Sequence, residues 1–556
     1  MQIPGLRLRT PHFLFVSTVA LLVCVFYPAA GNSQEPTVRP LTDSVQTFSN
    51  LTSREYQKTL DRMVPKAFRP VEITVKVIDD QPRFTVKMKH VNSVRPWLAK
   101  HGLSNRQYSS FAIEQDELGY IETLHQRYRV RGTTYHVSVF EKDLELLEGI
   151  TLPEGPLPED GDTKPEFAPL DNMMRQFLVE HQIPGATIAV SRKGTVQYTR
   201  GFGYADLKTK TPMLANMSMR IASISKPITA VAILQLVERK KLKLDEPFLP
   251  YVLKYLSIDA NDVQDDRIAK VTILNLLQHV GGWDRDATFD PMFRSITIAK
   301  SMKTRSPASA VSIIRYMLTT QDLTHDPGTK YSYSNFGYSL LGRVIEAVSG
   351  QTYSAYVEQN ILKQTGMVTT QPGRTLQNQR ASTEATYHMR HGETAPSIFA
   401  SINRRREVPR PYGAWAIEPM DSHGGWISSA ADLVRFGNAF RGWTRSGADG
   451  SVEVTPLITA DSRRLMLAAP EYDPTNRFHY YGCGWSVRPR RGGSNCWHTG
   501  LLDGTSSILV CRYDGLCWAI LFNVNVTSDG KHCASKIDAL VHRAINSIYR
   551  WPVDSP

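Results

Sequence analysis

Apolar and polar residues alternate with a period of two over Val71–Val77 and Phe84–Met88, and again over Tyr135–Phe140. That is the pattern of strands with one buried face. Around these segments, Leu51, Thr52, Arg54, Glu55, Tyr56, Ala67 and Phe68 align with Leu103, Ser104, Arg106, Gln107, Tyr108, Gly119 and Tyr120 at a constant offset of 52. The alignment predicts two copies of a short helix followed by two strands. Further along, Ala186–Val190 and Val196–Tyr198 are joined through Arg192-Lys193-Gly194, and Ser507–Cys511 and Cys517–Val524 flank Tyr513-Asp514-Gly515. Both read as hairpins with glycine in the turn. Ile228–Val237 is apolar nearly all round, which predicts a buried helix. Strands at both ends with helices between predict an antiparallel sheet completed by the two ends of one domain. Thr151–Pro165 is rich in Pro, Gly, Asp and Glu, which is linker composition. The expected organisation is a small α+β repeat domain over 34–150, a linker over 151–165 and a long α/β domain over 166–556.

The first 33 residues read differently. Arg7 and Arg9 precede an apolar run of 15 residues, Phe13–Tyr27, followed by Pro28, Ala29, Ala30 and Gly31. A charged start, a short apolar run and small residues make a secretory leader, and the run falls short of the ~20 residues a membrane-spanning helix needs. Left uncleaved, it would anchor the chain facing the lumen. Cys24 lies in this leader, while Cys483, Cys496, Cys511, Cys517 and Cys533 cluster near the other end. In an exported chain that clustering suggests two disulfides and one odd thiol, with the pairing open. Sequons at Asn50, Asn216 and Asn525 are glycan acceptors in a eukaryotic secretory setting.

Composition narrows the partners. Apolar residues are 41% and charged residues 21%, enough for a real core, and the formal charge is +12. The charge suits an anionic surface or glycan, with a solvated basic surface as the plainer account. No Lys/Arg run is interleaved with aromatics, so nucleic acid is not expected. His388, His391 and His423 lack metal-ligand spacing, and neither a metal nor a cofactor is expected.

Three motifs carry chemistry. In Ser223-Ile224-Ser225-Lys226, residues three apart share a helix face, so the hydroxyl and the amine can meet. A buried lysine has a lowered pKa and can accept the serine proton. In Tyr333-Ser334-Asn335, a phenol near a lysine can act as a base, and the amide can hold a substrate carbonyl and orient the lysine. In His498-Thr499-Gly500, an edge strand can lay its backbone along a substrate. The N–H groups of Ser223 and of Leu501, just after it, would form an oxyanion hole. The motifs are 110 and then 165 residues apart. His279 reads as structural, and Trp283 and Trp426 as core.

The ordered set resembles the serine β-lactamase and penicillin-binding-protein superfamily, nearest its class C β-lactamase and esterase branch. Supporting stretches include Ile183-Pro184-Gly185, Gly201–Asp206, Arg220–Lys226, Leu276–Gly282, Pro327–Tyr338, Gly424–Ser428 and Tyr481–Trp485. The resemblance implies a β-lactamase-like transpeptidase fold, an antiparallel sheet flanked by helices with a helical subdomain. It makes Ser223 the acylated nucleophile, Lys226 its activator, Tyr333 the general base and Asn335 a substrate contact. His498 stands where the family usually has lysine, followed by Thr499, Gly500 and Leu501 in the substrate-binding strand. Two departures are visible: the histidine, which is common in the esterase and peptidase members, and Leu501-Leu502-Asp503-Gly504 in place of Gly-x-Pro-Gly. The N-terminal repeats weakly resemble those of fungal polyglycine hydrolases. The implied activity is that of a secreted serine hydrolase acting on an ester, amide or peptide bond of a small molecule or peptide. The alternatives are a catalytically silent binding protein on the same fold and an endopeptidase that docks its target through the repeats.

Overall fold

The computed structural model describes residues 45–63, 68–90, 97–117, 120–142, 149–399, 406–443, 456–472, 478–549 and 551. The leader expected at 1–33 lies outside them. The chain divides into two compact units, Met1–Glu145 and Leu146–Pro556.

In the first unit each repeat is strand–helix–strand–strand. Copy one is β1 (Val45–Leu51), α1 (Ser53–Met63), β2 (Phe68–Ile78) and β3 (Gln81–His90). Copy two is β4 (Trp97–Ser104), α2 (Asn105–Glu117), β5 (Tyr120–Val130) and β6 (Thr133–Lys142). The sheets have equivalent orders, β1-β3-β2 and β4-β6-β5. The aligned residues explain why both helices start where they do. Thr52 and Glu55 form a reciprocal capping box, with Thr52 N–H on Glu55 Oε2 at 2.8 Å and Glu55 N–H on Thr52 Oγ1 at 3.3 Å. Ser104 and Gln107 repeat it at 3.0 and 3.5 Å. The leading strand of each copy was not expected. In β1, Val-Gln-Thr-Phe-Ser-Asn-Leu lies on a sheet edge with most residues exposed, so it carries no alternation to read.

The second unit is built on a nine-stranded sheet. Its strands include β7 (Gly185–Arg192), β8 (Thr195–Asp206), β9 (Ser486–Arg490), β10 (Gly493–Leu502), β11 (Thr505–Cys511) and β12 (Leu516–Phe522). They lie antiparallel in the order β8-β7-β12-β11-β10-β9, with short strands at both ends. Both ends of the domain thus complete one sheet. Side chains alternate between two cores. Ile188, Val190, Trp518, Ile520 and Phe522 face α3 (Ala168–Glu180) and the C-terminal helix Cys533–Asn546. Ala189, Cys517, Ala519 and Leu521 join a larger core with the helices. Those helices include α4 (Ser225–Glu238), α5 (Asn335–Ser349), α6 (Ala430–Arg441) and α7 (Ala460–Met466). Trp283 and Trp426 are buried in that core. No helix of the described residues is long and apolar enough to cross a membrane.

Two expectations look different in the structure. The acidic segment expected as linker is strapped to the second unit. Glu159–Asp160 pairs with β8, Glu159 Oε2 accepts from buried Arg200 at 2.6 Å, and Asp160 Oδ2 accepts the Ala215 N–H at 2.7 Å. Its composition reflects partners for an arginine rather than a free tether. The five cysteines of this unit are buried thiols. Cys496, Cys511 and Cys517 stand in register across β10, β11 and β12, with 3.2 Å between the Cys511 and Cys517 sulfurs.

Candidate active site

From Ser218 to Leu236 every residue is buried except Ser223, which is half-buried. It sits in a 3₁₀ turn, Ala222–Ile224, that leads into α4. Ala222 has φ +46°, a left-handed conformation that costs a non-glycine residue and turns the chain sharply before the serine. Arg220 holds the approach. Its guanidinium is fully buried and donates to the carbonyls of Pro411, Arg374 and Thr375 at 2.7–3.2 Å. The first N–H groups of a helical turn lack internal acceptors, and Ser223 lies in that first turn.

Lys226 is fully buried. Its Nζ lies 3.0 Å from Ser223 Oγ, 2.8 Å from Asn335 Oδ1 and 2.9 Å from the His423 carbonyl oxygen. Two of these contacts are fixed by chemistry. A carbonyl only accepts, and the Asn335 amide is locked by its other end, where Nδ2 donates to Asp290 Oδ2 at 2.6 Å. A neutral lysine spends its two N–H bonds on those acceptors and turns its lone pair to the serine hydroxyl. Burial pushes the Lys226 pKa well below the lysine range; Arg285 adds to this and Asp290 opposes it.

Tyr333 and Asn335 arrive together because Ser334 caps α5, its Oγ accepting the Gly337 N–H at 3.1 Å. His279 Nδ1 accepts the Ser334 N–H at 3.2 Å, and its ring lies 4.3 Å from that of Tyr333. The Tyr333 hydroxyl meets Ser223, and burial pushes its pKa above the ordinary tyrosine value. Lys226 Nζ and Arg285 Cζ each lie 4.8 Å from the Tyr333 ring centroid. Burial thus moves the two groups apart, the lysine downward and the phenol upward.

The third motif lies on β10. Among the described residues, beyond Trp497 this strand has no pairing with β9 and pairs only with β11, which leaves one backbone edge of His498–Leu502 without a strand partner there. Gly500 allows the strand to reach the serine turn, since a Cβ there would overlap the Ile221 carbonyl oxygen and Ser507 Oγ. Thr499 and Leu501 are exposed, Leu501 by 39%. His498 is buried and turned into the protein. Nδ1 lies 2.7 Å from the Thr499 carbonyl, which must accept, so Nδ1 carries the proton and Nε2 accepts from Tyr481 at 3.0 Å. Burial, with Lys226 adding to it, pushes its pKa down to about 3.

The structure thus brings Ser223, Lys226, Tyr333 and Asn335 into one hydrogen-bonded cluster and lays Gly500 against it, while both ring nitrogens of His498 are engaged by the protein. Sequence reasoning did not single out Asp290, Arg285 or Tyr481. Asp290 precedes Pro291 and its Oδ1 caps the next turn through the Met292 N–H at 3.1 Å. That local role is readable from sequence. Its hold on Asn335, 45 residues away, is not. Among the described residues no group of His, Cys, Asp and Glu is arranged to hold a metal ion.

Comparison with known proteins places the chain in a family. The family model described as Beta-lactamase matches residues 170–541, and the model described as Polyglycine hydrolase-like, structural repeat, matches 43–86 and 94–143. The protein flp of Staphylococcus aureus is 28% identical over 258 residues, covering 46% of this chain and 47% of that protein. Esterase EstB of Burkholderia gladioli is 32% identical over 203 residues, 36% of this chain and 50% of EstB. The chain therefore spans about half the length of the curated relatives it matches. A solved structure, EstCE1, a hydrolase with promiscuous acyltransferase activity, superposes with a TM-score of 0.52 at 19% identity, covering 69% of this chain and 99% of that one. The chain belongs to the β-lactamase family, with polyglycine-hydrolase-like structural repeats ahead of the family domain.

Proposed function

We propose that this member of the β-lactamase family is a serine hydrolase that opens esters or small amides through an acyl-enzyme on Ser223. The observation that carries the reading is the setting of Lys226 Nζ, whose two obligate acceptors leave its lone pair for the serine hydroxyl. Ser223 Oγ attacks the carbonyl carbon as its proton passes to Lys226. The oxyanion is held by the N–H groups of Ser223 and Leu501. As the tetrahedral intermediate collapses, the leaving oxygen or nitrogen takes a proton from the Tyr333 hydroxyl, which is refilled from Lys226. Water then attacks the acyl carbon by the same relay in reverse, giving the acid and free Ser223.

The substrate preference we propose is small esters and amides over penicillins and cephalosporins. A neutral, engaged His498 offers no fixed charge to a β-lactam carboxylate. One charge-assisted contact is worth about 1.5–3 kcal/mol, roughly tenfold to a hundredfold in rate. The open edge of β10 also favours extended peptides, so an endopeptidase is the second reading. The leader pattern supports export.

The test is labelling with a fluorophosphonate followed by peptide mapping, together with kcat/KM for a nitrophenyl ester and a chromogenic cephalosporin. Modification at Ser223 and faster turnover of the ester are expected. Label on Ser225 with Ser223 bare would sink the assignment of the nucleophile.

A further inference from the structure

Away from the serine cluster, the end of α6, the helix α7 and the turn between β9 and β10 enclose a surface pocket of about 470 Å³. Arg441, Arg463 and Arg464 line it, with Trp443 and Tyr480 in its wall, and no carboxylate of the described residues lines it. None of the residues of the candidate active site takes part.

Among the described residues the charges in this pocket are poorly answered. Arg464 pairs with exposed Asp461. Arg441 donates to the carbonyls of Ser494 and Arg512 at 3.1 and 3.4 Å, and its guanidinium lies 5.1 Å from the Trp443 ring centroid. Arg463, between the other two in charge environment, makes only a 3.4 Å contact with the Phe440 carbonyl among the described residues. Burial, with Arg441 and Arg464 adding to it, pushes its pKa below the usual arginine value. The C-terminal end of α6 supplies a partial negative charge of roughly half a unit, against three guanidiniums. Planar guanidinium forks match sulfate, phosphate and carboxylate geometry, and they are the side chains of choice for such anions.

The shape selects among anions. A volume of 470 Å³ falls in the range of small-molecule pockets, about 300–1,000 Å³. A concave site walled by two aromatic rings fits a ring-shaped ligand better than the flat face of a bilayer. Arg490 and Arg491 are exposed on the turn beside Pro489 and Gly493 of the pocket, so the positive surface continues past its mouth, as a polymer of repeated charge would require. The formal charge of +12 agrees. We propose that this pocket binds one acidic unit of an anionic polysaccharide, its sulfate or carboxylate held by Arg441, Arg463 and Arg464 and its ring set against the aromatic wall.

The test uses the full chain and a sulfated oligosaccharide, titrated by calorimetry at low and at physiological salt, with its desulfated counterpart, inorganic sulfate and anionic phospholipid vesicles as comparison ligands. Binding of the sulfated sugar is expected, weakened at least tenfold by Arg463→Ala and by Arg464→Ala, with unchanged melting temperatures showing that both variants fold. Arg441 is left intact because its bonds to Ser494 and Arg512 hold the sheet. Three results overturn the proposal: equal affinity for the desulfated sugar or for inorganic sulfate alone, sugar binding that survives both substitutions, or arginine-dependent binding to vesicles with none to the oligosaccharide.

Discussion

Tyr56 in the first unit and Lys226 in the second are buried polar groups on opposite terms. In the first repeat Tyr56 is fully buried and stacked on Phe84, 4.8 Å between centroids, and its hydroxyl has no partner among the described residues. In the second unit Lys226 is equally buried, yet each of its three Nζ contacts is with an oxygen at 2.8–3.0 Å. An unsatisfied hydroxyl is a cost that packing absorbs. For Lys226 the acceptors satisfy the N–H groups, while burial, with Arg285 adding to it, lowers the pKa towards that of the base proposed above. Burial alone does not mark a site; the partners do.

Removing the nucleophile should separate the units most sharply. Ser223→Ala is expected to lower kcat/KM for a nitrophenyl ester by at least about a thousandfold, as for other covalent nucleophiles. Deleting the repeats, leaving residues 146–556, should change the same constant by less than about threefold, because that unit holds every member of the cluster and its own cores. An equally large loss on deletion would make the repeats part of the chemistry.

The contrast also explains what could be read from the sequence. The hairpins at Ala186–Tyr198 and Ser507–Val524 and the helix at Ile228–Val237 follow from local periodicity and turn glycines. The capping residues Thr52/Glu55 and Ser104/Gln107 announce the repeats because a cap is a contact over three residues. Ser223, Lys226, Tyr333 and Asn335 were legible as ordered motifs. The carbonyl of His423, the carboxylate of Asp290 and the guanidinium of Arg285 were not, because their roles depend on partners 45 to 197 residues away. Edge strand β1 was missed for a simpler reason: it buries too little to need an apolar face.

Next in size are the charges around the lysine. Arg285, 36% exposed, and Asp290 act on Lys226 with opposite sign, while burial, with Lys226 adding to it, keeps His279 and His423 neutral, so neither competes. By the proposed mechanism, activity requires neutral Lys226 and is lost as pH falls through its pKa. Arg285→Gln removes a nearby positive charge, lets Lys226 keep its proton to higher pH, and should move the acid limb of kcat/KM upward. Asp290→Asn should move it downward, since an amide oxygen can still accept from Asn335. For an exposed charge the effect is worth up to about 1 kcal/mol, or roughly fivefold at the acid end. Limbs moving in the same direction would show that loop geometry, not charge, is responsible.

The smallest effect belongs to the repeats, and its sign is the test. Tyr56 and Tyr108 occupy equivalent positions at the offset of 52, and so do their stacking partners Phe84 and His136. Tyr108 stacks on His136 at 4.1 Å, but its hydroxyl donates to Glu122 at 2.9 Å. The second copy thus has both the stack and a partner for the phenol, and the stacked His136 bonds Asn105 at 2.7 Å and His125 at 2.9 Å. Tyr56→Phe removes an unpaired buried hydroxyl and keeps the stack, so it should stabilise the repeat unit by about 1 kcal/mol. Tyr108→Phe removes a charge-assisted bond and should destabilise by a similar amount. For a domain near a hundred residues each is a shift of roughly 4–8 °C, visible by calorimetry of the full chain as movement of one transition while that of the second unit stays in place. Destabilisation by both variants would mean that the Tyr56 hydroxyl is paired after all, and that the two copies manage buried polar groups alike.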